Sequence, residues 1–289
     1  MKSGALVLMY HALTREGVFD RAALNPADRG YAIEADLLAG HLAVLSAPGR
    51  KASLPPEWTG ETSRKNVPDL EAENGGSGGA LKKEAPLGNA PAVILTFDDS
   101  WESHQTLAWP LIQKAGMRAV FFLTVQEIGR PFMLTWDGVR ALARAGAVIG
   151  SHGLRHRFFD AYNEADLRAE LAASRRALEE AAGLPVRLLA LPGGRSRPDM
   201  MRIAREAGYA RVFGSRPGQW SGAEAAAGEP LPRVAVTERL TPERFARFLE
   251  RPEGPIAWRR VRYEGLKGLR ALLGEGLYGR LRNRLPREA

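Results

Sequence analysis

The sequence predicts an α/β fold in which parallel β-strands alternate with α-helices. Short apolar runs of strand length recur along the chain, and amphipathic segments with helical spacing separate them. The runs at 91–97 and 119–123 are almost continuously apolar, which is typical of strands buried on both faces of a parallel sheet. With 289 residues, of which 45% are hydrophobic, the chain is long enough to bury a sizeable core.

The individual elements follow from these patterns in chain order. The apolar run at 5–9 is too short for a signal peptide and is predicted to be the first strand. Further strands are predicted at 91–97, 119–123, 147–150, 186–191, 211–213 and 234–236. Helices are predicted at 101–115, 135–145, 163–182 and 198–207, and after Thr241. Gly146 and Gly183 supply helix stops, and Pro242 suits the first turn of the last helix.

Two segments do not fit this alternation. Residues 48–90 are rich in Gly, Pro, Ser and charge, and residues 74–79 read Asn-Gly-Gly-Ser-Gly-Gly. Such a composition buries too little apolar surface to order itself, so we predict a flexible insertion there. The second segment is a basic tail at 258–289. The predicted organisation is therefore one domain over 1–257, followed by this tail.

The tail carries most of the net charge of the chain. It holds nine Lys and Arg against three Glu, which accounts for +6 of the total of +8. Apolar residues recur in it at steps of three to five residues, namely Trp258, Val261, Leu266, Leu269, Leu273, Leu277, Leu281 and Leu285. The pattern predicts an amphipathic helix, weakened by five glycines. Two interpretations stay open: peripheral contact with an anionic membrane surface, or packing on the main domain with the arginines solvated.

Several function classes are disfavoured by composition. The chain has no cysteine, so it has no disulfide framework, thiolate nucleophile or Cys-type zinc site. No apolar run is long enough to predict a transmembrane helix, and no signal peptide is recognised. We therefore expect a cytoplasmic protein, with peripheral membrane contact through the tail as one of the two interpretations that stay open. We expect no nucleic-acid partner, because the basic residues of the tail follow helix spacing without a groove-reading motif.

Two polar clusters directly follow predicted strands. Asp98 and Asp99 end the run at 91–97, and His152 and His156 follow the run at 147–149. Ligands and catalytic groups collect at the carboxyl ends of strands in α/β proteins. Two imidazoles and one carboxylate can hold a metal with a position left for water, and the second carboxylate could then act as a base. The alternatives are a helix-capping Asp pair and two surface histidines around a turn.

These clusters carry a resemblance to a known family. Thr96-Phe97-Asp98-Asp99-Ser100 and Ser151-His152-Gly153-Leu154-Arg155-His156 resemble the first two signature motifs of the polysaccharide deacetylases, the nodulation-type carbohydrate deacetylases. The resemblance covers roughly residues 90–215. Leu8-Met9-Tyr10-His11 and Leu231-Pro232-Arg233 resemble flanking segments of the exopolysaccharide-modifying branch of the family.

The resemblance implies a distorted (β/α) barrel of about seven parallel strands. It implies Asp98 as general base and Asp99, His152 and His156 as ligands of a divalent metal, with Zn²⁺ expected first. The family removes acetyl groups from N-acetylhexosamines or from O-acetylated sugars. We therefore expect a metal-dependent N-deacetylase acting on a polysaccharide or oligosaccharide. Two alternatives remain, an O-acetyl esterase on the same scaffold and a non-catalytic glycan-binding homologue.

The chain departs from the family pattern at several positions. Ser100 stands where Gly is common, and Gly153 stands where a hydroxyl often fixes the loop beside the first His, so we expect a looser loop. In the third motif, Ala190 stands where the family has an Arg that orients the base, and Gly193 stands where it has an aromatic residue. The backbone N–H of Gly193 could still serve an oxyanion hole. No His follows His156, so the family's late His has no counterpart.

Other residues are candidates for the missing roles. We predict that Arg233 is an electrostatic partner of Asp98 and that His11 lines the site at the end of the first strand. Candidate sugar-stacking residues are Trp101, Trp136 and Trp220. For each of these five residues the alternative is a purely structural role, as a buried cation, a strand-end histidine or a packing aromatic.

Overall fold

A seven-stranded, all-parallel sheet forms the centre of the computed structural model, which describes residues 4–24, 26–50, 52–55, 58, 92–221 and 228–282. Its strands follow the order β8-β7-β6-β5-β4-β1-β9. Their bounds are β1 Leu6–Tyr10, β4 Val93–Asp98, β5 Ala119–Leu123, β6 Val148–Ser151, β7 Leu188–Ala190, β8 Arg211–Phe213 and β9 Val234–Ala235. A separate two-stranded pair joins β2 Leu13–Thr14 to β3 Ile33–Glu34.

Helices pack around this sheet. They are α1 Pro26–Arg29, α2 Ala35–Leu45, α3 Trp109–Lys114, α4 Trp136–Arg144, α5 Glu164–Ala182, α6 Met200–Glu206, α7 Pro242–Glu250 and α8 Glu253–Arg282. Side-chain caps fix several starts: Thr135 accepts from the N–H of Gly138, and Thr241 accepts from that of Arg244. Gly183 ends α5 in the left-handed conformation, with φ of 66°.

The sheet curls because its two edges share one segment. Leu231 forms a parallel bridge with Phe213 of β8, while Val234 pairs with Leu8 of β1. Residues 231–235, which include β9, therefore contact β8 at one edge of the sheet and β1 near the other edge. The result is the distorted (β/α) barrel of seven parallel strands that the family resemblance predicted.

Successive side chains of the strands point alternately into the barrel and towards the helices. In β4, Ile94 belongs to an inner apolar cluster, whereas Leu95 and Phe97 belong to the larger core under the helices. This period of two directs Thr96 and Asp98 inward with Ile94, and both are buried. The inner cluster also contains Val120, Phe122, Ala190 and Phe213 from neighbouring strands. The carboxylate at the end of β4 therefore faces the barrel interior.

Most predicted elements coincide with observed ones, but the helix predicted at 101–115 is interrupted. Residues 104–108 form a π-type turn, and regular α-helix begins only at Trp109. Pro110 explains the break, because it has no N–H to donate to the carbonyl of residue 106. No element was predicted between residues 12 and 47, where the structure has α2 packed on the core.

The insertion predicted at 48–90 falls mainly outside the described residues, so its flexibility stays a prediction. Its first part packs against the barrel. Ala52 bridges to Val93 and is buried. The Trp58 ring stacks on Trp220 with centroids 5.6 Å apart and joins the inner cluster. An aromatic residue of the insertion thus covers the barrel end at which the strands begin.

The predicted helix of the tail is observed as part of α8, which spans Glu253–Arg282. Its first turns are anchored by buried Ile256 and by an Arg260 side chain that donates to the Pro217 carbonyl. Arg216 also pairs with Glu264 at 3.0 Å. None of the helices within the described ranges, α8 included, is both long and apolar enough to cross a bilayer.

Candidate active site

The carboxylate of Asp98 is held by Arg233 at the mouth of the barrel. Arg233 donates from both terminal nitrogens, one to each Asp98 oxygen, at 2.8 Å. Its Nε donates to the Gly214 carbonyl at 2.7 Å, and Nη1 also reaches the Thr96 hydroxyl at 3.2 Å. Asp98 and Arg233 are each only 1% exposed. The predicted partner of Asp98 therefore makes a buried bidentate ion pair, the strongest geometry for this pairing.

This pair keeps Asp98 ionised. Burial raises the pKa of Asp98, but the Arg233 guanidinium and nearby His152 outweigh burial and hold the pKa below its ordinary value. Each carboxylate oxygen has two acceptor sites, so the bonds to Arg233 leave capacity for another donor. At neutral pH the arrangement therefore presents an ionised carboxylate with a free acceptor site.

The side chain of Asp99 points in a different direction from that of Asp98, because the backbone has an unusual conformation where it leaves the strand. Its φ is +83°, and Ser100 follows with φ of +65°, both in the left-handed region. The Asp99 carboxylate thereby points to the two histidines: Oδ1 lies 3.3 Å from Nε2 of His152 and 3.1 Å from Nε2 of His156. Burial raises the pKa of Asp99, but hydrogen bonds from both imidazoles bring it well below the ordinary value.

Asp99, His152 and His156 form a three-residue cluster suited to a metal ion. Their nearest ligand atoms all lie within 4.8 Å of one another. Nδ1 of His152 donates to the Ala190 carbonyl at 3.0 Å, so Nε2, on the side of Asp99, is the nitrogen that could bind a metal ion. Metal-binding histidines are commonly oriented in this way by their second nitrogen. One carboxylate and two imidazoles fit a divalent cation with an open position.

The loop between the two histidines is anchored by Glu170 of α5. One Glu170 oxygen accepts from the N–H groups of Leu154 and Arg155, both at 2.8 Å, and the other accepts from the Arg155 guanidinium at 2.6 Å. The loop expected to be looser at Gly153 thus has backbone contacts from the buried Glu170, and its mobility stays a prediction. The signal was present in the sequence, since Glu170 falls on the buried stripe of α5 with Leu167 and Leu171.

The hydroxyl of Ser100 has a structural role that the sequence did not reveal. It is fully buried and accepts from the N–H of Thr124 at 2.8 Å while lying 3.2 Å from the Thr124 carbonyl. The positive φ at this position explains why glycine suits it. Here the hydroxyl ties the end of β4 to the end of β5 and fixes the turn that carries Asp99.

His11 lies beside the same cluster. Burial lowers the pKa of His11, and the charges of Asp99 and Asp98 act on it in the opposite direction. Its ring packs on Tyr31 with centroids 4.9 Å apart. Nδ1 of His11 is buried and has no hydrogen-bond partner within the described part of the chain. The imidazole of His11 thus has an unused nitrogen close enough to be influenced by the charges of Asp98 and Asp99, and its role in lining the site stays a prediction.

Gly193 adopts a left-handed conformation with φ of +61°. A side chain there would also collide with Phe158, because an added Cβ would lie 2.7 Å from that ring. Phe158 is 39% exposed, and the Arg195 guanidinium covers its ring at 4.5 Å. Phe158, two residues after His156, thus places an aromatic ring beside position 193, where the family has an aromatic residue. Motif comparison does not identify it.

The three tryptophans occupy different places. Trp101 follows the Asp pair but is 5% exposed and bridges to Met133. Trp136 begins α4 and packs partly against the main core. Trp220 pairs through its backbone with Ala5, just before β1 begins. Trp220 thus lies at the opposite end of the strands from Asp98, and the structure does not bring it together with the cluster.

Comparison with known proteins gives consistent results. Residues 87–212 match the family profile described as polysaccharide deacetylase. YxkH of Bacillus subtilis, a curated protein named for this family, is 25% identical over 158 residues. That match covers 55% of this chain and 56% of YxkH, so it spans little more than half the length of this relative.

Solved structures share the fold. The Streptococcus pyogenes deacetylase PplD, solved with acetate, superposes with a TM-score of 0.65 at 20% identity, covering 85% of this chain and 98% of PplD. IcaB from Ammonifex degensii gives a TM-score of 0.59 at 22% identity, covering 89% and 97%. A de-N-acetylase from Aggregatibacter actinomycetemcomitans gives 0.59 at 16% identity, covering 85% and 99%. At such identities the likeness establishes the barrel architecture.

Proposed function

This chain belongs to the polysaccharide deacetylase family, and we propose that it is a metal-dependent hydrolase that removes acetyl groups from N-acetylated sugars of a polysaccharide. One observation carries the proposal. An ionised Asp98, held by Arg233, stands next to a three-ligand cluster of Asp99, His152 and His156. A base beside a metal position is the combination that amide hydrolysis requires.

The donor set favours Zn²⁺ among divalent ions. Two neutral imidazole nitrogens and one carboxylate oxygen match the ligands of catalytic zinc sites, although Co²⁺, Ni²⁺, Mn²⁺ and Fe²⁺ accept similar sets. When bound, a divalent ion supplies Lewis acidity: it lowers the pKa of a water molecule and polarises the acetyl carbonyl.

The residues of the chain supply the proton transfers and the charge balance. Asp98 takes a proton from the attacking water, whose oxygen bonds to the acetyl carbon. The developing negative charge on the carbonyl oxygen is met by the N–H of Gly193. When the C–N bond breaks, the proton on Asp98 can return to the departing nitrogen. Acetic acid and a free amine leave, the acid ionises to acetate by losing its proton to solvent or to the amine, and Asp98 is again ionised beside Arg233.

His11 and Phe158 line the pocket in this proposal. The unpartnered Nδ1 of His11 can hydrogen-bond a sugar hydroxyl or the acetyl group, and the half-exposed Phe158 ring offers an apolar face beside Gly193. Aromatic rings commonly present such faces to ligands in otherwise polar clefts. The substrate partner is then a polysaccharide or oligosaccharide chain.

Acetate release combined with metal analysis tests this function. The purified chain is incubated with N-acetylglucosamine oligomers and, in parallel, with acetylated xylan, and its metal content is measured. We expect about one divalent metal per chain and acetate from the oligomers. Acetate from xylan alone would indicate an O-acetyl esterase. Metal and glycan binding without turnover would indicate a non-catalytic homologue.

His152→Ala is the matched site variant for this experiment. Loss of one of three ligands should leave little metal and little activity, while the barrel keeps its fold by circular dichroism. Stoichiometric metal in His152→Ala would remove the cluster from the proposal.

A further inference from the structure

The groove between α7 and α8 is lined by four arginines. Three come from α7 and its end, at positions 244, 247 and 251, and the fourth is Arg259 of α8. The spacing of three and four residues puts the first three on one face of α7. Leu240, Phe248 and Pro255 form the apolar part of the groove, whose volume is about 420 Å³. It lies outside the barrel and uses none of the proposed site residues.

These arginines are not matched by acids. In the described part of the chain, no carboxylate oxygen lies within 4.0 Å of the four guanidinium groups. The nearby acid Glu250 pairs with Arg50 at 3.0 Å. Glu243 accepts a hydrogen bond from the Thr241 hydroxyl, and its interaction with Arg247 is electrostatic, without a hydrogen bond. The positive charge of the groove is therefore available to an anion.

Arg259 differs from the other three arginines because it is half-buried, whereas they are exposed. Within the described residues its guanidinium makes one polar contact, with the Ala235 carbonyl at 3.4 Å, and the Phe248 ring lies 5.5 Å away. Burial lowers the pKa of Arg259, with no acid acting against it. A guanidinium has five N–H donors. Taking it partly out of water with so few partners costs free energy that a bound anion would recover.

The solvent-facing side of α8 indicates the source of the anion. Trp258, immediately before Arg259, is 52% exposed. Val261 and Leu272 lie on the same helical stripe as Trp258 and are 73% and 85% exposed. Exposed aromatic and aliphatic residues beside basic ones are typical of helices that lie in the headgroup region of a membrane. A soluble anion would not require this apolar row.

We propose that the groove of Arg244, Arg247, Arg251 and Arg259 binds the phosphate of an anionic phospholipid headgroup, with Trp258, Val261 and Leu272 of α8 entering the adjoining interface. Arginine suits this ligand because its planar fork can bind phosphate oxygens in pairs. The contact would hold the barrel at a membrane surface through one defined site, in addition to the diffuse charge of the tail.

The test compares two triple variants of the full-length chain in vesicle co-sedimentation. Arg244, Arg247 and Arg251 are changed to Gln in one, and exposed Arg144, Arg176 and Arg205 on the other helices are changed to Gln in the control. Both lose three positive charges. Vesicles consist of phosphatidylcholine with or without phosphatidylglycerol. Each arginine near an anionic surface contributes about fivefold in affinity, so the groove variant should bind about a hundredfold more weakly.

The control variant should bind nearly as well as the unmodified chain, and both variants should release acetate from soluble oligomers at the unmodified rate. Equal losses in both variants would overturn the proposal, because charge alone would explain them. A second pair of changes, Trp258→Ser with Val261→Ser, should weaken vesicle binding without changing inorganic phosphate binding. Phosphate binding to the unmodified chain without vesicle binding would reject the lipid source. Binding of an anionic polysaccharide, but not vesicles, would assign the groove to a glycan.

Discussion

Arg233 and Asp98 meet at the barrel mouth across 135 residues of sequence, and each terminal guanidinium nitrogen donates to one carboxylate oxygen at 2.8 Å. The family resemblance placed an orienting Arg at the position of Ala190, on β7. The guanidinium arrives instead from the segment that closes the barrel beside β1. A positive guanidinium group therefore reaches Asp98 from the residue before β9, in place of one from β7.

Asp98→Asn tests the role of the base. The amide keeps the size of the side chain but cannot take a proton, so activity should fall by about 10²–10⁴-fold, the usual contribution of a general base. The metal content should stay unchanged, because Asp98 is not in the cluster of Asp99, His152 and His156. Activity and metal content are measured on the same preparation. Loss of both together would mean that the roles of the two aspartates are reversed.

Arg233→Gln should shift the pH profile of kcat/KM. Asp98 must be ionised to act, and without the guanidinium its burial raises its pKa. Activity on the acid side should then fall off at a higher pH than in the unmodified chain. Removing one partner of a buried pair also costs about 3–5 kcal/mol in free energy of unfolding, so Arg233→Lys serves as a milder second variant. An unshifted acid limb in both variants would show that Arg233 does not tune the base.

Glu170→Gln should weaken metal binding, although Glu170 is not one of the three proposed metal ligands. Glu170 fixes the loop of His152 and His156 through two backbone N–H groups and the Arg155 guanidinium. Gln can still accept from the N–H groups, but it removes the negative charge and turns an NH2 group towards Arg155. Supporting contacts of this kind are worth about 10–100-fold in metal affinity. Glu180→Gln, an exposed change on the same helix, is the control. Competition with a chromogenic chelator measures both. Equal affinity in the two variants would show that the loop is held by other contacts.

The sequence predicts well those features that depend on neighbouring residues. The Gly183 stop and the place of Pro242 in the first turn of α7 are local, and both occur as predicted. The helix predicted at 101–115 is interrupted because Pro110 removes a backbone hydrogen bond, which apolar spacing alone does not reveal. Phe158 beside Gly193 was missed because its role depends on packing across distant segments. No local pattern encodes which distant side chains the barrel brings together.

Trp58 divides the predicted insertion into two parts with different effects on stability. Replacing residues 60–88 with a short Gly-Ser bridge keeps Trp58 and should leave the melting temperature nearly unchanged, since shortening a closed loop changes little entropy. Trp58→Ala removes a buried ring from the inner cluster and should cost about 3–5 kcal/mol. Thermal unfolding of both variants measures the contrast. A large loss in the loop replacement would show that residues 60–88 also pack on the barrel.

His104 should make the fold sensitive to acid. It is fully buried against Phe97 and Phe121. Burial lowers its pKa from 6.5 to about 4, although a hydrogen bond to the His11 carbonyl acts in the opposite direction. Above pH 6.5 the imidazole is neutral in both the folded and the unfolded chain, so it contributes no pH dependence.

As the pH falls from 6.5 to about 4, the unfolded chain binds a proton on His104 before the folded chain does. The free energy of unfolding should therefore decrease across this window, by about 3 kcal/mol from this residue. His104→Gln keeps a donor for the His11 carbonyl but cannot titrate. Urea unfolding at pH 7.5 and pH 4 should show a smaller loss of stability in the variant than in the unmodified chain. Parallel losses in the two proteins would mean that His104 titrates normally in the fold, and the acid sensitivity would then belong to other buried groups such as His41, whose pKa burial also lowers.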